Sequence, residues 1–295
     1  MRPPAPLPEP LKGKPLTLAI ATEHGISRRR LGGPLFRSLD RNLWVSAGTQ
    51  DSLDLFVAAS QLVLPGGAAV SGVAAACLHG VDLAPLKPEP VDVIADQSWR
   101  PGYRKVLRPH RAPLPVSDVT TVRGIVCTTL LRTAYDLARG PDLREAIVAI
   151  DALLHLGLIT PEGLAQLAAE RGWPDSLRVG RVLALADAGA ESPQESRLRL
   201  VLVLDGGLPR PETQLVARDA DGRFVARLDM GYRLRRRAGI ENDGKHHAQP
   251  DQRLRDHRRH NRLLRAGWPT LYYSAHDVTF RRSAIIREVR EEDDL

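Results

Sequence analysis

Cysteine is nearly missing: Cys77 and Cys127 are the only two in 295 residues. Two thiols cannot build a disulfide framework or a cysteine-based zinc site, and a reducing cytoplasm is the expected location. Lysine is scarce as well. Lys12, Lys14, Lys87, Lys105 and Lys245 stand among 42 basic residues, so arginine carries the formal charge of +7. A basic surplus favours an anionic partner without naming it. Arginine grips phosphate through two parallel hydrogen bonds, which points to nucleic acid, although a GC-rich coding sequence produces the same bias. No secretory signal is legible, because Met1–Pro10 is proline-rich and lacks an apolar core. One charge-free run, Leu55–Leu78, is long enough to span a bilayer. Pro65-Gly66-Gly67 interrupts it, and Ser60, Gln61 and Ser71 add polarity. The run therefore reads as two buried helices joined by a turn, and no membrane partner is expected.

What is present is apolar content sufficient for cores, 43% hydrophobic residues, over a length that suits two or three domains. The expected class is α/β multi-domain. Residues 1–15 read as a disordered leader. Residues 16–50 read as a winged-helix-like domain, with helices over Leu16–Glu23 and Ser27–Leu39, a turn at Gly25 and a strand at Leu43–Ser46. Arg28, Arg29 and Arg30 would then open a helix that enters a DNA groove; a small helical cap with solvated arginines is the competing reading. Residues 51–190 read as a mixed α+β middle domain. Leu53–Leu64 and Ser71–Leu78 have helical character, and Val91–Ala95, Lys105–Arg108 and Val119–Cys127 have strand character. Helical patterns then fill Thr128–Ala138, Leu143–Leu156, Pro161–Arg171 and Ser176–Ala188, with Asp151 a polar exception on an apolar stripe. Asp92, Asp96 and His110 are scattered among turn residues, and no catalytic constellation appears here.

Ala188-Gly189-Ala190 reads as a boundary, and residues 191–295 run helix, three strands, helix, strand, helix. Ser192-Pro193-Gln194-Glu195 opens the first helix with an N-cap serine, a proline at the first position and a glutamate at the third. Glu212–Arg218 and Arg223–Met230 form a hairpin around Asp221-Gly222, and Ala238–Asp243 is the third strand. Asp251–Ala266 is a basic helix carrying Arg253, Arg255, Arg258, Arg259, Arg262 and Arg265; Pro269–Tyr273 is the last strand and Ser283–Arg290 the last helix.

The chemistry concentrates in Asp229, Glu241 and Asp243. Asp229 sits at the end of one expected strand and Glu241 near the end of the next, with room for a turn and an antiparallel return between them. Period-two geometry lets both carboxylates meet at one edge of a sheet, and Asp243 shares the face of Glu241. Strand interiors are poor in aspartate, and three acids on one face repel unless something compensates. A hard divalent cation, Mg²⁺ or Mn²⁺, is the natural compensation. Such an ion activates a water and stabilises charge on a phosphoryl oxygen, while arginines on the next helix hold the phosphate backbone.

Residues 191–289 resemble the restriction-endonuclease-like superfamily, whose core motif is written PD-(D/E)xK. The closer resemblance is to the very-short-patch-repair-like endonuclease domains found in actinobacterial proteins. It rests on Glu195 in ESPQESRLR, on RFVARLDM around Asp229, and on IENDGKHH with Glu241, Asp243, Gly244 and His247. DHRRHNRLLRAGWPTL, with Asp256, Arg259, Leu263, Gly267 and Trp268, adds to it. The region before it is similar, weakly, to the winged-helix antitoxins of the AbiEi-like type. The resemblance implies a mixed sheet flanked by helices, metal binding by Asp229, Glu241 and Asp243, and Glu195 approaching from the first helix. It implies His247 at the scissile phosphate or its water, and Arg255, Arg258, Arg259 and Arg262 on DNA. Asp243 takes the position of the general motif's lysine. Asn242 stands where an apolar or aromatic residue is usual, and Tyr273 where an arginine often follows the last core strand.

Plainer readings stand beside these. Glu195 has the spacing of a capping-box glutamate. His246 and His247 have the character of surface histidines. His257 and His260 lie three apart on the arginine-rich helix, but no carboxylate or cysteine pattern completes a zinc site. Two function classes follow: a cation-dependent DNA endonuclease, in repair or defence, and a DNA-binding regulator or antitoxin-like protein whose nuclease fold no longer cuts. DNA is the expected partner under both, with a homodimer left open.

Overall fold

The computed structural model describes residues 11–83, 87–95, 98–100, 102, 104–173, 175–233, 237–243 and 250–293, with side chains outside the description at 250–254 and 293. The protein is α/β and multi-domain, with mixed sheets flanked by helices. Its contacts divide it into two compact units, Met1–Leu137 and Ala138–Leu295. Among the described residues no helix is long and apolar enough to cross a membrane.

The first unit opens with α1 (Leu18–Glu23), capped by Thr17, and α2 (Arg28–Leu31), capped by Ser27. Gly25, at φ 69°, makes the turn between them. The helix expected over Ser27–Leu39 is a single turn. Gly32-Gly33-Pro34 ends it, and Phe36–Asp40 forms β1, paired antiparallel with β2 (Leu43–Ser46). A four-residue helix is about 6 Å long, too short to lie along a groove as a recognition helix. Leu11, Leu16, Ala21, Ile26, Leu31 and Phe36 share a core, so the described end of the expected leader is packed; residues 1–10 lie outside the description.

The charge-free run resolves into α3 (Leu53–Gln61), the short β3 (Ala69–Val70) and α4 (Gly72–Leu78). β3 joins β4 (Val91–Ala95), β5 (Leu107–Arg111), β6 (Val119–Val122) and β7 (Ile125–Thr128) in a five-stranded mixed sheet of order β5-β4-β3-β7-β6. α5 (Leu130–Ala138) follows, and its Arg132, 1% exposed, is held by Asp118 and Asp136 at 2.8 Å each.

The second unit begins with α6 (Leu143–His155), α7 (Pro161–Arg171) and α8 (Ser176–Leu185). α9 (Pro193–Leu200) runs into a π-helical turn, Val201–Asp205. Three side-chain pairs tie α6 to this segment: Arg144 to Asp205, Glu145 to Arg197 at 2.7 Å, and Asp151 to Arg199 at 2.7 Å. This is why the chain divides at 137/138 and not near Ala190. The unit's sheet is β8 (Glu212–Arg218), β9 (Phe224–Arg233), β10 (Arg237–Asn242) and β11 (Thr270–Tyr273), in the order β11-β10-β9-β8. Only β10 and β11 pair in parallel, through α10 (Pro250–Arg265). α11 (Ala275–Phe280) and α12 (Arg282–Asp293) close the unit. Leu263 of α10 packs with Leu215, Leu228 and Trp268, while Leu198, Ile285 and Val289 pack with Met230, Ile240 and Tyr273.

Candidate active site

Strand register aligns the site. Thr213 pairs with Met230 and Leu215 with Leu228, so position 214 of β8 faces Asp229 of β9. Met230 pairs with Ile240, so the next position of β10, Glu241, also faces Asp229. Glu241 pairs with Tyr272 of β11. Gln214, Asp229, Glu241 and Tyr272 thus form a row across the four strands. Asp229 lies inside β9, not at its end as the sequence suggested.

The Asn242 N–H donates to Asp229 Oδ2 at 2.8 Å. The Asp229 carboxyl is nevertheless pushed up to about 6. Burial is the main cause, and the charges of Glu195 and Glu241 add to it against the Asn242 hydrogen bond and Arg259. Glu195, 8% exposed, comes from the first turn of α9. Its Oε1 accepts from Ser192 Oγ at 2.8 Å; its Oε2 accepts from Glu191 N at 2.9 Å and from Gln214 Nε2 at 3.1 Å. Glu195 thus sits at the start of α9 without closing the expected capping box, since its carboxylate takes Glu191 N and not the Ser192 N–H, and its charge acts on Asp229. Glu241 is equally buried, and Arg259 of α10 grips both of its oxygens, at 2.6 Å from Nη1 to Oε2. Arg259 Nη2 also donates to the Arg227 carbonyl at 2.7 Å.

The expected residues separate in an informative way. Asp229 and Glu241 come together, with Glu195 close by. Asp243 is exposed just past β10, its N–H donating to the Tyr273 carbonyl at 2.8 Å. His246 and His247 lie outside the described residues. Arg255, Arg258 and Arg262 are exposed on α10, whereas Arg259 turns to the carboxylates. Arg28 and Arg29 are exposed and Arg30 half-buried on the one-turn α2 of the first unit. Among the described residues, the buried Asn242 Oδ1 has no hydrogen-bond partner. Tyr273 is in the core, where burial pushes its phenol up, and donates to Glu288 at 3.1 Å.

Gln214 and Tyr272 were not singled out from the sequence. Gln214 follows Glu212 and Thr213 at the polar start of β8, so no sequence signal set it apart. Tyr272 was hidden beside the more conspicuous Tyr273; its ring meets His260 at 5.8 Å, and burial followed by the Glu241 charge raises its pKa.

Among the described residues no group of three or more His, Cys, Asp or Glu is arranged to hold a metal ion. Mg²⁺, however, commonly takes one or two protein carboxylates and completes its shell with water and substrate phosphate. Asp229 and Glu241 are such a pair of hard-oxygen donors, on facing positions, with one carboxyl raised partly by acidic neighbours. That donor set fits a divalent cation, which must share Glu241 with Arg259 or displace it.

No family profile matches the chain. Over 222 residues it is 30% identical to Uncharacterized protein MT2308 of Mycobacterium tuberculosis (strain CDC 1551 / Oshkosh). The same identity and length relate it to Uncharacterized protein Rv2248 of strain ATCC 25618 / H37Rv. The match covers 73% of this chain and 78% of each relative. The chain belongs to their family. A match of that length exceeds either compact unit, so the family shares parts of both.

Proposed function

We propose that the second unit is a cation-dependent DNA endonuclease of restriction-endonuclease-like type, working in the cytoplasm. The observation that carries this reading is the meeting of Asp229 and Glu241 on neighbouring strands, with Glu195 near enough to push Asp229 up. Buried acids that raise one another's affinity for protons are the electrostatic condition a cation reverses. Asp229 and Glu241 would hold Mg²⁺ or Mn²⁺, which supplies an activated water and stabilises charge on the phosphoryl oxygen. Arg255, Arg258 and Arg262, exposed on α10, would bind the phosphate backbone and leave the carboxylates to the chemistry. Asp243, just past β10, and His247, outside the described residues, are proposed to assist.

A second reading has its own observation. Arg259 already neutralises Glu241 with a two-pronged ion pair, which is how a fold that binds DNA without cutting it would quiet its acids. Supercoiled plasmid incubated with the protein and Mg²⁺ or Mn²⁺, with EDTA as control, separates the two. The nuclease reading expects nicked or linear DNA with the cation alone, and a loss of at least a hundredfold in Asp229→Ala and Glu241→Ala with DNA affinity largely kept. Tight duplex binding with no cleavage under any of these conditions transfers the assignment to a regulator or antitoxin-like protein.

A further inference from the structure

Gln214 has a left-handed backbone, φ 51°, in the interior of β8. The other described non-glycine residues of positive φ are Asn42 and Arg123, each in the turn of a hairpin, and Asp175, at the N-cap of α8. Asp175 stands outside any strand, and the two hairpin turns call for such a backbone. Position 214 does not: the register is the same on both sides of it, Thr213 to Met230 and Leu215 to Leu228, so no extra residue is being absorbed. A long side chain is disfavoured in this region of backbone space. Strain of this kind persists where surrounding contacts over-determine it, and it concentrates at binding and catalytic sites.

The contact made at this position is specific. Gln214 faces Asp229 in register, and its Nε2 donates to Glu195 Oε2 at 3.1 Å. With Ser192 Oγ and Glu191 N, that gives the Glu195 carboxylate three donors from two different elements. An amide has a further merit there. It donates a hydrogen bond without bringing a positive charge, whereas a lysine in its place would compete with a cation. We propose that Gln214 is a positioning residue of the carboxylate site: its strained backbone aims the amide at Glu195 and locks that carboxylate near Asp229, ready for a divalent cation and a phosphodiester. This role rests on the nuclease reading above.

Gln214→Asn and Gln214→Gly both accept a positive φ, and both withdraw the amide from Glu195. The full-length variants and wild type are compared by thermal unfolding without metal, by Mn²⁺ titration, by metal-free DNA binding and by single-turnover plasmid cleavage. The expected melting temperature holds or rises, because strain is relieved. Mn²⁺ affinity and the cleavage step fall about ten- to a hundredfold, as for groups that orient metal ligands, and DNA affinity is unchanged. Unchanged Mn²⁺ affinity and cleavage in both variants overturn the proposal. So does a loss of affinity that appears only together with lost stability, which makes Gln214 a residue of the fold. A wild type that neither binds Mn²⁺ nor cleaves overturns the nuclease reading and the positioning role with it, and is recognised before any variant is made.

Discussion

Asp229 concentrates several opposing effects on one carboxyl group. Burial and the nearby charges of Glu195 and Glu241 raise its pKa to about 6, against the Asn242 N–H and Arg259. The folded protein therefore holds a proton that the unfolded chain, near its ordinary 3.8, releases earlier. Below about pH 4 the group's contribution to stability is complete; it is lost as pH rises through about 6. A shift of this size is worth about 3 kcal/mol at full burial, and water around a partly exposed group reduces it to about 1–2 kcal/mol. Urea unfolding of wild type and Asp229→Asn in EDTA checks this. Wild type is expected to lose that much more stability than the variant between about pH 3.5 and 7, and parallel pH profiles would remove Asp229 from the buried cluster. The carboxylates were legible in the sequence because aspartate and glutamate are out of place inside strands. Gln214 was not, because its importance lies in a backbone angle. Nor was the turn of Arg259 away from its row of solvated neighbours, since helical spacing alone does not say which arginine meets the sheet.

Elements with chemical punctuation were legible to within a residue or two. α7 begins at Pro161 behind the Thr160 cap and ends at Gly172, left-handed at φ 56°. In the sequence the helix opened by Ser27 runs on through β1, where Phe36 and Leu39, three apart, are compatible with one helix face. In the structure Phe36 packs into the N-terminal cluster and Leu39 into a different one, so the strand is buried on both sides. Asp151 was the polar exception on the stripe of α6, and its partner explains it. It is fully buried against Arg199 of α9 at 2.7 Å, and its other oxygen accepts from Asp187 N at 2.6 Å. Removing one member of a buried pair leaves a charge without compensation, typically costing about 3–5 kcal/mol, whereas replacing both with apolar residues is far cheaper. Asp151→Ala should lower unfolding stability by about that amount, and Asp151→Leu with Arg199→Met should regain much of it. Urea midpoints for the single variant close to wild type would mean that the pair is not closed in solution.

The division of the whole molecule follows from the same contacts. Ala188-Gly189-Ala190 has the composition of a linker, yet a Cβ at Gly189 would overlap the Thr213 side chain. The glycine is there for close packing, not for a hinge, and composition cannot tell the two apart. The helices before it belong with the candidate active site: α6 holds α9 through Arg197 and Arg199 and the π-helical turn after it through Asp205, and α9 supplies Glu195. A fragment of residues 191–295 keeps every proposed catalytic residue but strands Arg199, 1% exposed, without its carboxylate. It also uncovers the face of α9 that α6 protects. A fragment of residues 138–295 keeps these contacts. The longer fragment is expected to unfold cooperatively in urea and to show dispersed amide resonances. The shorter one should lack a cooperative transition, or be several kcal/mol less stable, since an orphaned buried charge alone costs about 3–5 kcal/mol. If residues 191–295 unfold at the same midpoint as residues 138–295, then α6–α8 are an appendage and the active unit starts near Ala190. If only the longer fragment folds, the support for Glu195, and through it the environment of Asp229, begins about fifty residues upstream of the first carboxylate.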